Sequence, residues 1–189
     1  EITTRLVGSE MCIRDSFSKD ELARLWAHKA NPYCQIILML NYNACRISEF
    51  LDLKKENVHL KEQYFDVVAA KTENGVRKVP IADKLLPFYE AWFERSPCEY
   101  LLCTTEGQHL DYFNYCDTYW DPLMEEYDMK HTPHDTRHTC ISMMADAGVA
   151  PTIQKKIAGH SGAMSLTERV YTHLDIQTLI DGINMICPV

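Results

Sequence analysis

Six residues have the side chains needed to transfer a phosphoryl group to a tyrosine without a metal: Arg46, Lys71, His134, Arg137, His160 and Tyr171. Arginine and histidine donate hydrogen bonds to a tetrahedral anion and bring no carboxylate that would repel it. A tyrosine hydroxyl is a weak nucleophile, because a reference pKa near ~10 leaves about one phenol in a thousand ionised at neutral pH. It therefore needs a nearby base or a positive field, and a lysine on a turn can protonate an alkoxide leaving group.

Taken singly, each of these residues also has an ordinary structural interpretation. An arginine at a helix start is usually a surface or paired charge, and a lysine beside a hairpin turn is usually solvated. A histidine at a helix start more often makes a structural hydrogen bond, and the chain has 10 tyrosines, most of which a folded domain would use for packing. The functional hypothesis therefore depends on the order and spacing of the whole set.

The hydrophobic pattern predicts one mainly helical domain with a small three-stranded antiparallel sheet, an α+β arrangement. A capping box at Ser18–Glu21 begins the first helix, and Pro32 begins a second, strongly apolar one. Strands are expected at 58–60, 64–68 and 77–81, with a turn at 73–75 before the third. Further helices are expected at 83–94, 110–126, 134–147, 151–158, 165–172 and 175–186; Gly148 ends one of them and Pro151 begins the next.

These elements would place four of the six residues at the ends of helices or strands. Arg46 lies between two helices, and Lys71 lies where the second strand runs into a turn. His134 and Arg137 are three apart and share one face of a helix start.

Net charge alone argues against a nucleic-acid partner, but the charge is segregated. The chain has 189 residues and a formal charge of -8, and this length suits one domain with a real core. Residues 90–128 contain ten acids and one base, which leaves 17 acids and 18 bases elsewhere. We therefore expect the acidic segment to lie away from any phosphate site. No apolar run approaches the roughly 18 residues of a membrane span.

The eight cysteines include no CxxC pair, which disfavours a zinc site. Several lie inside apolar helical patterns, which is typical of buried, reduced thiols in a cytosolic protein. A metal-binding histidine cluster at His131, His134 and His138 is a weaker alternative, because no HExxH motif accompanies it.

The motifs in combination resemble the catalytic domain of the tyrosine recombinases, the phage integrase family. The resemblance covers roughly residues 17–186, and its stretches occur in family order: NACRISEFLDLKKENV, AAKTENGVRKVPI, TPHDTRHT, IAGHS and VYTHLD. Two departures are visible, Asn43-Ala44-Cys45 where the family usually has a glycine-bearing turn, and Ala158 where leucine is common. Neither falls on a catalytic position.

The resemblance implies a role for each of the six residues. Tyr171 would attack the scissile phosphate and form a 3′-phosphotyrosyl link. Arg46 and Arg137 would bind the non-bridging oxygens, His160 would add a hydrogen bond, and Lys71 would protonate the leaving 5′ oxygen. The sixth residue, His134, would assist proton transfer or orient the phosphate. Bond energy is kept in the phosphotyrosine, so no cofactor and no metal is expected.

The resemblance also sets expectations for organisation and partners. Residues 1–16 are expected to be a non-native or disordered leader, and 17–189 a catalytic domain without the family's amino-terminal core-binding and arm-binding domains. The expected partners are double-stranded DNA and other recombinase protomers in a tetrameric synapse, with no membrane.

Helix 175–186 has two interpretations, intramolecular core or a helix exchanged between protomers, and the resemblance favours exchange. Two lysine pairs have two interpretations, contacts with the DNA backbone or solvated surface charges: Lys54, Lys55, Lys155 and Lys156.

The expected function is an integrase of a phage or conjugative element, acting in the bacterial cytoplasm at the nucleoid. A chromosome-dimer-resolving recombinase shares the same motifs, and a catalytically silent DNA-binding fragment is the alternative from another class.

Overall fold

The computed structural model of the chain describes residues 16–68, 76–159 and 175–186. The α-helices in these ranges are α1 (Lys19–Ala27), α2 (Pro32–Asn41), α3 (Ile47–Leu51), α4 (Leu86–Arg95), α5 (Tyr112–Tyr115), α6 (Asp121–Glu126), α7 (Asp135–Asp146), α8 (Pro151–Ala158) and α9 (Ile176–Asn184). Short 3-10 helices cover Lys55–Asn57 and Asp83–Leu85. The predicted mainly helical fold is confirmed, whereas the predicted leader and the predicted helix at 165–172 lie outside the described residues.

The small sheet has the predicted order and direction. Its strands are β1 (Val58–His59), β2 (Tyr64–Val67) and β3 (Arg77–Pro80), with β2 in the centre and both pairings antiparallel. Phe65 lies opposite Val58 on one side and Val79 on the other, and its ring is fully buried. Each strand is one residue shorter than predicted, and the predicted turn at 73–75 lies outside the described residues.

Local sequence signals account for where several helices begin and end. The Ser18 hydroxyl accepts a hydrogen bond from the Glu21 N–H at 3.3 Å, and the Glu21 carboxylate accepts one from the Ser18 N–H at 2.7 Å. This is the predicted capping box. Pro151 occupies the first turn of α8, and Gly148 follows α7 with φ +73°, a left-handed conformation that glycine adopts without strain.

The predicted helix at 110–126 is interrupted by a π-helical turn. The stretch consists of α5, a π turn at Cys116–Trp120, and α6. Pro122 lies in the first turn of α6 and has no N–H to donate to the preceding turn. A locally widened helix accommodates that missing donor, which a pattern of apolar spacing does not reveal.

Helix α2 is the centre of the hydrophobic core. Every residue from Ile36 to Asn41 is buried, and both α1 and α7 pack against this helix. Cys34, Cys45 and Cys140 are buried and free, as the sequence predicts. Among the described residues no helix is both long and apolar enough to cross a membrane.

Helix α9 packs on its own chain, against β3 and α8. Its buried residues are Leu179, Ile180, Gly182 and Ile183. A Cβ at Gly182 would stand 2.8 Å from Ile153 Cγ2, so α9 and α8 approach closely there. In this single chain the helix is intramolecular core, the interpretation that the resemblance disfavours.

Candidate active site

Arg46 lies at the junction between the core helix α2 and the short helix α3. The intervening turn is held by the Asn43 side chain, whose Oδ1 accepts a hydrogen bond from the Cys45 N–H at 2.9 Å. Ala44 adopts φ +52°, the left-handed conformation that costs an L-residue about 1–2 kcal/mol. The Arg46 backbone is extended and caps α3, and its side chain is 52% exposed, so the guanidinium can meet a ligand.

Glu49, one turn into α3, holds Arg46 by two bonds. Its Oε2 accepts from the Arg46 N–H at 3.0 Å and its Oε1 accepts from Arg46 Nη1 at 2.7 Å. Its second cation is Arg77 on β3, whose Nη2 lies 2.8 Å from Oε2. Burial alone would raise the pKa of the Glu49 carboxyl, but hydrogen bonds and charge from Arg77, with a smaller contribution from Arg46, hold that pKa below its ordinary value.

Arg137 reaches the same junction from the first turn of α7. The start of that helix is fixed by Asp135, whose carboxylate accepts a hydrogen bond from the Thr132 N–H at 2.7 Å. The buried Arg137 guanidinium donates from Nη1 to the carbonyl oxygen of Ala44, 93 positions earlier. Burial lowers the pKa of Arg137, and the charges of Arg46 and Arg77 lower it further. The three arginines are thus close enough to act on one another electrostatically.

His134 is exposed at the capping position of α7. Its ring meets that of His138 edge to face, with 4.7 Å between centroids. Partial burial lowers the pKa of His134, and His138, Arg137 and Arg46 lower it further. The lowered pKa favours the neutral form of the imidazole, which is the form that can accept a proton.

The other three predicted residues, Lys71, His160 and Tyr171, lie outside the described residues. The structure does describe the chain just before His160. There Gly159 ends α8 with φ +74°, and a Cβ at this position would stand 3.0 Å from Arg77 Cδ and Nε.

The lysine pairs differ in their surroundings. Lys54 binds Glu99 at 2.7 Å, and the Lys55 ammonium donates to the carbonyl oxygen of Ser96 at 2.5 Å. Both ammonium groups are therefore engaged by their own chain in this structure. Lys155 is half-buried and Lys156 is exposed in the last turn of α8.

His131, the first histidine of the alternative metal cluster, lies beside an acid. Its Nε2 lies 3.2 Å from Glu21 Oε1, and its ring stacks on Phe17 at 4.0 Å. Within the ranges that the structure describes, no three His, Cys, Asp or Glu residues are arranged to hold a metal ion.

Comparison with known proteins identifies the family. The family model described as the phage integrase family matches residues 16–178. The chain belongs to the phage integrase family.

Curated members of the family match most of this chain. Tyrosine recombinase XerA from Pyrococcus horikoshii is 27% identical over 175 residues, which are 89% of this chain and 60% of the relative. Tyrosine recombinase XerA from Thermococcus kodakarensis is 29% identical over 154 residues, 77% of this chain and 52% of the relative. The chain therefore spans between half and two thirds of the length of these relatives.

Solved integrase and recombinase structures share the fold. The integrase of transposon Tn1549, in complex with circular intermediate DNA, matches with a TM-score of 0.69 and 19% identity, over 86% of this chain and 64% of that one. The crystal structure of XerA recombinase matches with a TM-score of 0.66 and 24% identity, over 92% of this chain and 65% of that one. These two structures therefore share the fold of this chain.

Two site residues were not singled out from the sequence, Glu49 and Arg77. Both lie inside stretches that resemble the phage integrase family, RISEF and VRKVP. The spacing of Glu49 from Arg46 signals a helix-start contact. Nothing in the sequence pairs Arg77 with Glu49, because their contact spans 28 positions.

Proposed function

We propose that the chain is the catalytic domain of a site-specific DNA recombinase that cleaves and rejoins strands through Tyr171. One observation carries the proposal: the turn that leads into Arg46 also binds Arg137 through the Ala44 carbonyl. Two arginines from distant segments thereby lie at one junction, and both are close enough to His134 to lower its pKa. This arrangement suits a phosphodiester, which presents two non-bridging oxygens and develops further charge during transfer.

In the proposed reaction the Tyr171 oxygen attacks the phosphorus of the scissile phosphate and the bond from phosphorus to the 5′ oxygen breaks. Arg46 and Arg137 neutralise the non-bridging oxygens, with a further hydrogen bond from His160. Lys71 gives its proton to the leaving 5′ oxygen. The tyrosine proton is transferred to the imidazole of His134. The lowered pKa of His134 favours the neutral imidazole, which can accept that proton.

Rejoining reverses these steps. A 5′-hydroxyl from another strand attacks the phosphotyrosine, the phosphodiester is restored and Tyr171 regains its proton. One phosphoester bond forms for each one that breaks, so the cycle needs no external energy source.

The proposed partners are double-stranded DNA and further copies of the chain in a tetrameric synapse. Exchange of helix 175–186 between copies belongs to this proposal. The face that Leu179, Ile180 and Ile183 bury within one chain would then be buried in the same pocket of a neighbour, as in a domain swap.

We assign the recombinase to the integration or excision of a mobile element in a bacterial cytoplasm, at the nucleoid. The shared fold with the Tn1549 transposon integrase supports this assignment. A chromosome-dimer-resolving role and a catalytically silent DNA-binding fragment are the alternatives.

The test is capture of the covalent adduct on a pool of DNA sequences. The chain is incubated at low salt with duplexes that carry a randomised core and a nick a few nucleotides from the centre, so that the released end diffuses away. Denaturing gels detect protein joined to DNA, and sequencing the joined DNA shows the preferred core. Tyr171→Phe serves as the matched variant, since it removes only the hydroxyl.

The expected result is an adduct that forms with the wild-type chain, persists in chelator and is lost in Tyr171→Phe. Cleavage by the phenylalanine variant would exclude the tyrosine mechanism. Binding without any adduct would favour the silent fragment. Recovered cores that match the ends of a mobile element, rather than one chromosomal site, would support the integrase assignment.

A further inference from the structure

Arg77 is a deeply buried cation beside the site, with a side chain only 3% exposed. Its Nη2 donates to Glu49 Oε2 at 2.8 Å, and its Nε donates to the Ile157 carbonyl oxygen at 2.9 Å. Nη2 also lies 3.7 Å from Cys45 Sγ, and burial raises the pKa of that thiol to about 12. Its one anionic partner among these groups is therefore Glu49.

Three segments of the site meet at Arg77. Glu49 holds the side chain and backbone of Arg46. Ile157 lies in the last turn of α8, two residues before Gly159 and three before His160. Arg77 itself begins β3, the strand that follows the segment containing Lys71. One guanidinium thus joins three segments that are separate in sequence.

The chain around Arg77 is shaped to admit this side chain. Gly159 has φ +74°, and a Cβ there would approach Arg77 Cδ and Nε to 3.0 Å and Cζ to 3.1 Å. A larger residue at 159 would combine backbone strain with a contact against a guanidinium that has little room to move. The backbone leading to His160 is therefore packed directly on Arg77.

The charge of Arg77 also affects how freely Arg46 can bind a phosphate. Glu49 is 6% exposed and needs a cationic partner at all times, because an unpaired buried carboxylate is costly. With Arg77 in place, Glu49 keeps one partner when a phosphate draws the donors of Arg46 away. Without Arg77, Glu49 would compete with the phosphate for Arg46.

We propose that Arg77 is a positioning residue, which anchors Glu49 so that Arg46 is free to bind the scissile phosphate. The inference rests on the proposed function, because it concerns the same site. It assigns Arg77 no contact with DNA and no proton transfer. Arg77 acts through Glu49 and Arg46.

The decisive variant is Arg77→Lys, which keeps the charge but cannot bind Glu49 and the Ile157 carbonyl with one rigid fork. Lys78→Met is the matched control, since Lys78 is the next residue on β3, is exposed and lies over the Tyr64 ring. Rates of adduct formation are measured at saturating DNA with the nicked substrate, together with DNA affinity and thermal melting. Arg77→Gln is measured in the same way, at a temperature where every variant is folded.

We expect Arg77→Lys to form the adduct about 10- to 100-fold more slowly, the loss typical of a small displacement of a catalytic group, with DNA affinity changed less than about threefold. Lys78→Met should react at the wild-type rate. In an Arg46→Lys background, Arg77→Lys should slow adduct formation by less than about a further threefold, since both changes disturb the phosphate contact of residue 46.

Three outcomes would overturn the inference. A folded Arg77→Lys chain with the wild-type rate would show that Arg77 only supports the fold. A full additional loss of rate in the Arg46→Lys background would show that Arg77 acts independently of Arg46. Absence of adduct in the wild-type chain would remove the proposed function and this inference together. A wild-type adduct with an unchanged Arg77→Lys rate would remove only the inference.

Discussion

At the scale of single residues, the two proposed phosphate-binding arginines have opposite surroundings. Arg46 is half exposed and paired with Glu49, whereas Arg137 is buried and bound to a backbone carbonyl. Arg46 is thus the adjustable member and Arg137 the fixed one. A tetrahedral phosphate can use both, because a fixed donor sets its position and an adjustable donor follows the charge as it develops.

Removing either guanidinium should nearly abolish cleavage. We expect Arg46→Ala and Arg137→Ala to slow adduct formation by about 100- to 1,000-fold, the usual effect of losing one preorganised donor. Arg46→Ala should leave the melting temperature almost unchanged, because Glu49 retains Arg77 as its partner. Arg95→Ala, which removes an exposed arginine near Trp92, is the control and should cleave normally. A loss below tenfold for both site variants would contradict a phosphate clamp.

His134 should titrate below the ordinary histidine pKa of about 6.5, because burial, His138 and the neighbouring arginines all disfavour its charged form. The folded chain then binds fewer protons at this site than the unfolded chain does. The contribution of neutral His134 to the free energy of unfolding is complete above about pH 6.5, and it is lost as the pH falls towards the lowered pKa of this residue. NMR titration of the ring carbons measures this pKa directly.

Replacement of His138 tests the cause of that shift. His138→Ala should raise the pKa of His134, whereas Lys61→Ala, a change at an exposed lysine between β1 and β2, should leave it where it was. A His134 pKa at or above the ordinary value would contradict the electrostatic environment described here.

At the scale of elements, the turn between α2 and α3 positions both arginines. Residue 44 of this turn has a left-handed conformation, φ +52°, although it is an alanine. The turn that it resembles in the family usually contains glycine. Ala44→Gly should remove about 1–2 kcal/mol of strain and lose about 0.5–1 kcal/mol to the greater freedom of the unfolded glycine. We expect a net stabilisation between zero and about 1.5 kcal/mol, measured by denaturant unfolding, with cleavage retained.

Ala145→Gly provides the opposite control for that prediction. Ala145 is exposed inside α7, where glycine costs about 1 kcal/mol. Equal destabilisation by both changes would show that the turn at Ala44 is not strained.

The elements themselves were predictable where local physics decides them. The capping box at Ser18, the helix end at Gly148 and the antiparallel strands follow from residues within a few positions of one another. The π turn before Pro122 and the contact of Arg77 with Glu49 were not predictable. The π turn depends on how the helix backbone adjusts to a residue without an N–H donor. The contact between Arg77 and Glu49 depends on packing between distant segments.

At the scale of the whole molecule, the arrangement of charge matters more than its sum. The strongest charges acting on Arg137 and His134 come from residues 45–49, 77 and 135–138. None of these residues belongs to the acidic segment, 90–128. The end of α6 within that segment packs on α1, where Arg24 Nη1 donates to the Tyr127 carbonyl oxygen at 2.8 Å.

DNA affinity should therefore fall steeply with salt despite a net charge of -8, because binding releases counterions from the phosphates that the local cations contact. The measurement is the slope of log affinity against log salt on a short duplex of arbitrary sequence. Arg46→Ala should reduce that slope by about one.

The double variant Glu125→Gln with Glu126→Gln tests the acidic segment, because it removes two exposed acids of α6. It should leave the slope and the affinity within about twofold of the wild-type values, because long-range repulsion is screened beyond roughly 10 Å. A tenfold gain in affinity for that double variant would place the acidic segment against the DNA and overturn this charge arrangement.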